Sequence, residues 1–116
     1  IKEREEERKR DPEVVMEPFD LRDVLPAPSP ITGDRTFFVY TLTQAADSVD
    51  LAIYTASGRL ARRLRDLPAS AGTQEAYWDA RDSRGRRVAN GVMFYRMTAR
   101  QGDETKRALG RIAITR

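Results

Sequence analysis

Beyond residue 35, hydrophobic side chains recur at every second position in short runs. Phe38, Tyr40 and Leu42 form one such run, and Val49, Leu51 and Ile53 form a second that closes at Gly58. A shorter run carries Ala76 and Trp78, and a longer one after Gly91 holds Met93, Tyr95 and Met97. A closing run includes Leu109, Ile112 and Ile114. Turn-forming residues separate the runs every 8–12 positions, among them DSRGRR at 82–87 and Gly102-Asp103. Alternation at period two between regularly spaced turns predicts an antiparallel sandwich or barrel, all-β, of about seven strands. The alternating residues are its expected core: Phe38, Tyr40, Leu42, Val49, Leu51, Ile53, Trp78, Met93, Tyr95, Met97, Ile112 and Ile114. Trp78 is the sole tryptophan and its burial is expected to weigh heavily in so small a core.

Two segments depart from this pattern. In RLARRLRDL, Leu60, Leu64 and Leu67 stand at helical spacing, so a helix competes there with a strand. Ahead of the alternating region, Pro26, Pro28 and Pro30 cannot donate ladder hydrogen bonds. They suit an edge strand or an extended crossing, which Leu21, Val24 and Leu25 would seat against the sandwich. Residues 1–10 are a charge run with acid-first i,i+4 pairs, Glu5 with Lys9 and Glu6 with Arg10, and no apolar stripe. Residues 1–20 therefore read as a charged linker, or the short helical tail of a preceding element, and residues 21–116 as the sandwich.

The chain has 116 residues, room for one domain. It starts at Ile1 rather than Met, and the expectation is a processed or excised piece of a longer protein. Charge is uneven: residues 1–20 carry five basic and eight acidic groups, residues 80–116 ten basic and three acidic. A basic half invites nucleic acid or an anionic surface. Arg81, Arg84, Arg86 and Arg87 crowd one turn with no stacking aromatics between them, so nucleic acid is not an expected partner. Arg96, Arg100, Arg107 and Arg111 fall on the last two strands, where they form either a solvated outer face or a basic stripe for an acidic partner. No apolar run approaches the ~18 residues of a membrane span.

Candidate chemistry is sparse. With no Cys and no His, disulfides, thiolate metal sites, histidine metal sites and histidine-activated nucleophiles are all excluded. The serines have no neighbouring base, and the glycines are too scattered for a phosphate-binding loop. Asp79, Asp82 and Gly85 lack the alternating oxygen ligands of a calcium loop, and the two carboxylates are expected to cap turn amides instead. Gly58 and Gly85 suit tight reversals that need positive φ. Gly91 is expected to open a strand where a side chain would crowd the tryptophan strand. No catalytic residue, metal or cofactor is expected.

Several segments together resemble a known family. They are Ile53-Tyr54 with Gly58-Arg59, Trp78-Asp79 with Asp82 and Gly85, and Asn90-Gly91 opening the strand with Phe94-Tyr95. The chain over residues 24–116 is similar to the immunoglobulin-like domain of the flagellar hook-capping protein. That module recurs at the carboxy end of secreted bacterial proteins, including cargo of the type IX secretion system. The family usually has Gly where Ala80 stands and Tyr where Met93 stands, and its lead-in reads PNPF rather than APSP. The resemblance implies an immunoglobulin-like β-sandwich and a non-catalytic, carboxy-terminal accessory module of a larger exported protein. Its partners would be other domains of the parent chain and the export or surface-attachment machinery, and its location secreted or on the bacterial cell surface. Two alternatives stand beside it: a structural domain of a flagellar hook-cap scaffold, and a basic module binding anionic glycan or nucleic acid. In the hook-capping protein the domain is flanked on both sides, so a last strand running into Arg116 points to the first reading.

Overall fold

The computed structural model describes residues 17–116. Most of the charged segment expected as linker or helix, residues 1–16, lies outside the described residues. The described residues form seven strands: β1 (Leu21–Ala27), β2 (Thr36–Leu42), β3 (Ser48–Tyr54), β4 (Leu60–Leu64), β5 (Gly72–Trp78), β6 (Gly91–Gln101) and β7 (Glu104–Ile114). They build two antiparallel sheets, ordered β1-β2-β5 and β4-β3-β6-β7, whose inner faces pack together. This is the immunoglobulin-like sandwich arrangement. No described helix is long and apolar enough to cross a membrane.

Alternation explains the core. In β2, Thr36, Phe38, Tyr40 and Leu42 are buried while Phe37, Val39 and Thr41 between them are only half-buried. Val49, Leu51 and Ile53 face them from β3, and Met93, Tyr95, Met97 and Ala99 from β6. Trp78 is fully buried, tilted at 45° against Phe38 with ring centroids 6.4 Å apart. Its Nε1 donates to the Arg81 carbonyl at 3.0 Å, so its one polar group is satisfied within its own turn. Tyr40 solves the same problem across the fold, donating its hydroxyl to the Pro68 carbonyl at 2.6 Å. Burial pushes the Tyr40 pKa up to about 12 and raises that of Tyr95 as well. All twelve of the expected core side chains lie in this interior, joined by Phe19 and Ile31.

The ambiguous RLARRLRDL segment is strand. Residues 60–64 pair with β3 through a register shift beside Ala61, whose side chain turns into the core. Leu64 and Leu67 then pack at the core margin, and Leu60 stays exposed. Pairing with β3 satisfies the backbone and buries Ala61. A helix carrying that narrow leucine stripe would leave β3 as an open edge instead.

Other differences have local causes. In β1 a register shift between Arg22 and Leu25, with Asp23 at φ 56°, turns Leu25 to solvent at 57% exposure. Leu109 is 78% exposed, because it stands three positions from Ile112 and so faces the opposite side of β7. Phe19 precedes the expected start of the sandwich at residue 21, yet it is buried. Ile31, among the prolines, is buried too. It pairs with the end of β7, donating its N–H to the Ala113 carbonyl at 2.8 Å and accepting from Thr115 at 2.9 Å.

Candidate interaction face

The outward side chains of β4-β3-β6-β7 follow from strand register. Across the sheet, Leu60, Tyr54, Phe94 and Arg111 form one row, and Arg63, Ala52, Arg96 and Leu109 the next. Asp50, Thr98 and Arg107 make a third row, and Ser48, Arg100 and Thr105 a fourth. The four candidate partner-surface arginines, Arg96, Arg100, Arg107 and Arg111, are therefore brought to a single face.

They are not equivalent. Arg96 lies over the Tyr54 ring at 5.7 Å and donates to its hydroxyl at 3.0 Å. Arg100 sits 3.7 Å from the Asp50 carboxylate. Arg107 and Arg111, on edge strand β7, have no carboxylate partner among the described residues. Between the arginines stand exposed apolar groups: Val92, Phe94 at 42%, and Leu109. Phe94 was legible in the sequence, because it alternates out of phase with Met93 and Tyr95. Tyr54 could not be placed against Arg96 without the β3–β6 register.

The expected turn residues gather at one end of the sandwich. Asp79 Oδ1 accepts from the Arg81 N–H at 3.1 Å and from the Arg62 guanidinium at 3.0 Å. Asp82 Oδ1 accepts the N–H groups of Arg84 and Arg86, each at 2.9 Å. The Arg86 amide, the largest influence, holds the Asp82 carboxyl below its ordinary value; burial opposes it, and the Arg84 amide adds to the lowering. Both carboxylates thus cap turn amides. Among the described residues no cluster of three or more Asp, Glu, His or Cys could hold a metal ion. Gly58 and Gly85 have φ of 91° and 81°. The reason expected for Gly91 needs correction. A Cβ there would meet nothing within 4 Å, and its φ of 135° is what favours glycine. Asn90 beside it bonds the Arg116 backbone in both directions, donating at 2.9 Å and accepting at 3.0 Å.

A glycine that no turn pattern flags does touch the core. Gly110 faces Tyr95 across the β6–β7 ladder, and a Cβ at 110 would overlap the Tyr95 ring. That ring packs edge-on against Phe38 at 5.0 Å and donates its hydroxyl to the Val24 carbonyl at 3.2 Å, closing the sandwich between β1 and β7.

The turn also accounts for the Ala80 position, which has φ of 58°. Residues 28–103 match the model of the FlgD Ig-like domain. The chain belongs to the FlgD Ig-like domain family. Its glycine preference at the position of Ala80 has a physical basis in that left-handed backbone. No curated protein matches the chain by sequence. Among solved structures, it superposes on part of dimeric latent PorU from Porphyromonas gingivalis with a TM-score of 0.72 and 19% identity. That match covers 87% of this chain and 10% of PorU. PorZ, an essential bacterial surface component of the type-IX secretion system of the same organism, matches with a TM-score of 0.53 and 28% identity. Here 80% of this chain and 11% of PorZ are covered. The chain thus spans about a tenth of the length of either protein. The Br derivative of BhCBM56 shares the fold at a TM-score of 0.52 and 17% identity, over 81% of this chain and 98% of that one.

Proposed function

We propose that residues 21–116 are a non-catalytic accessory module of a larger exported bacterial protein, acting by contact in secretion, surface attachment or docking to neighbouring domains. The observation that carries this reading is the scale of the structural likeness. A domain of this size corresponds to about a tenth of PorU and of PorZ, and PorZ belongs to the surface apparatus of the type-IX system. The outer face of β4-β3-β6-β7 supports it, since exposed Phe94 and Leu109 among arginines suit recognition better than bond chemistry. Its partners would be other domains of the parent chain or the export and attachment machinery.

The test is surface display of the full-length parent, measured by protease accessibility on intact cells, with and without residues 21–116. Loss of display with the remaining domains still folded is the expected result. Normal display of the truncated parent would overturn the proposal.

A further inference from the structure

The four sheet edges of the sandwich differ in how they are closed. Edge strand β1 carries Pro26 and a register shift, and β4 has five residues and a shift of its own. β5 is regular over seven residues. β7 runs for eleven residues with no proline and no shift against β6. An edge of that kind presents a row of unpaired backbone donors and acceptors, which folds ordinarily blunt.

Which groups point outward can be read from Ile31. It bonds the Ala113 carbonyl and the Thr115 N–H, so the odd-numbered residues of β7 direct their backbone groups away from β6. Ile31 covers that edge at its carboxy end. Thr105, Arg107, Leu109 and Arg111 have no strand partner on that side among the described residues. The side chains of these four residues also share the outer face, where Leu109 is the most exposed large hydrophobic residue among those described. Arg107 and Arg111 flank it without a carboxylate partner among the described residues.

The geometry points to β7 as a strand-addition site for an extended acidic segment of another polypeptide, with alternate residues acidic, apolar, acidic. Laid antiparallel on β7, such a segment takes the free backbone groups of residues 105–111. It sets one carboxylate opposite Arg111, an apolar side chain opposite Leu109 and the other carboxylate opposite Arg107. A second copy of this chain fits poorly. Two β7 edges paired about Leu109 would place each Arg107 opposite an Arg111, and like charges directly opposed are destabilising. The inference rests on the proposed contact role only in taking the partner to be a polypeptide.

The probe is the acetylated and amidated peptide Thr-Glu-Thr-Val-Thr-Glu-Thr, titrated into the full chain by calorimetry, with backbone amides followed by NMR. Saturable binding is expected, with slowed hydrogen exchange at Thr105, Arg107, Leu109 and Arg111. N-methylation of the valine and glutamate amides, which face β7 in that register, should weaken binding about tenfold or more. Replacing both glutamates by lysine should abolish binding to the native chain. The double variant Arg107→Glu, Arg111→Glu should reverse that preference, which a merely unfolded variant could not do. The inference fails if no saturable binding occurs up to about 1 mM peptide. It fails equally if the N-methylated peptide binds as well as its parent, because the contact is then charge alone, or if the chain instead dimerises through this edge. Failure here with loss of display in the deletion experiment would remove the β7 site and leave the accessory role standing.

Discussion

On the outer face of β1-β2-β5, Phe37 and Tyr77 pack edge to face at 5.7 Å, with Val39, Thr41, Thr73 and Glu75 beside them. Its arginine, Arg22, is held by two carboxylates, Glu17 at 2.8 Å and Asp20 at 3.1 Å. On the opposite outer face, that of β4-β3-β6-β7, two arginines are engaged within the sheet while Arg107 and Arg111 are not paired among the described residues. The two sheets bury similar aliphatic and aromatic side chains on their inner sides, so core formation does not require this difference. The contrast is what singles out the second face for the proposed recognition role. One sheet pairs its outward arginine locally, whereas the other, among the described residues, leaves two arginines and the backbone open along its longest edge.

The contrast between inner and outer surface is broken most severely at Trp78. Trp78→Ala should cost about 3–5 kcal/mol by loss of packing, and it also removes one of the two hydrogen bonds to the Arg81 carbonyl, leaving that from Arg62. Phe94→Ala, on the outer face, should cost less than about 1 kcal/mol. Denaturant unfolding of both variants measures the gap, and similar losses would mean that the outer face is not the solvent-side face.

Next in size is Gly110→Ala. Its Cβ drives into Tyr95, so about 1–3 kcal/mol of destabilisation is expected from overpacking. In a Tyr95→Ala background the added cost should largely vanish, and a double-mutant cycle by urea melts tests this coupling. An additive result would place the ring elsewhere.

Two titrations probe opposite ends of the pH scale. The folded pKa of Tyr40 is raised to about 12 by burial, above the ordinary tyrosine value of 10.0. Its contribution is therefore fully present below pH 10 and is lost as pH rises towards 12. Asp82 has the reverse sign. Its folded pKa lies below 3.8, so its contribution holds above that value and fades as pH falls through the folded pKa. Stability profiles of Tyr40→Phe and Asp82→Asn should each flatten in their own window and leave the other unchanged.

The smallest effect is expected at Ala80. Glycine would relieve the left-handed strain at φ 58°, but it removes a buried methyl and adds freedom to the unfolded chain. These terms nearly offset, so thermal melts of Ala80→Gly should lie within about 1 kcal/mol of the parent.

The inner faces could be read from residue order, because burial in a strand follows parity and parity is a local property. Phe38-Tyr40-Leu42 and Met93-Tyr95-Met97 needed no partner to be placed on one side. Positions whose parity is broken by a bulge or lost in a proline-rich crossing could not be placed so. Leu25 is turned outward by the shift at Asp23, and Ile31 is buried by a bridge to the distant end of β7.

The sequence by itself determined an all-β chain, a core of alternating residues around one tryptophan, and carboxylates that cap turn amides. Its family likeness was likewise carried by short motifs, since Gly58, Trp78-Asp79 and Asn90-Gly91 each act over a few residues. Tertiary structure alone decided which residues meet: Arg96 with Tyr54, Gly110 with Tyr95, and Ile31 with β7. It also decided that Arg107, Leu109 and Arg111 stand along an edge with no strand partner among the described residues. Edges and rows are properties of strand order and register, and those are set by side chains far apart in the chain packing into one interior.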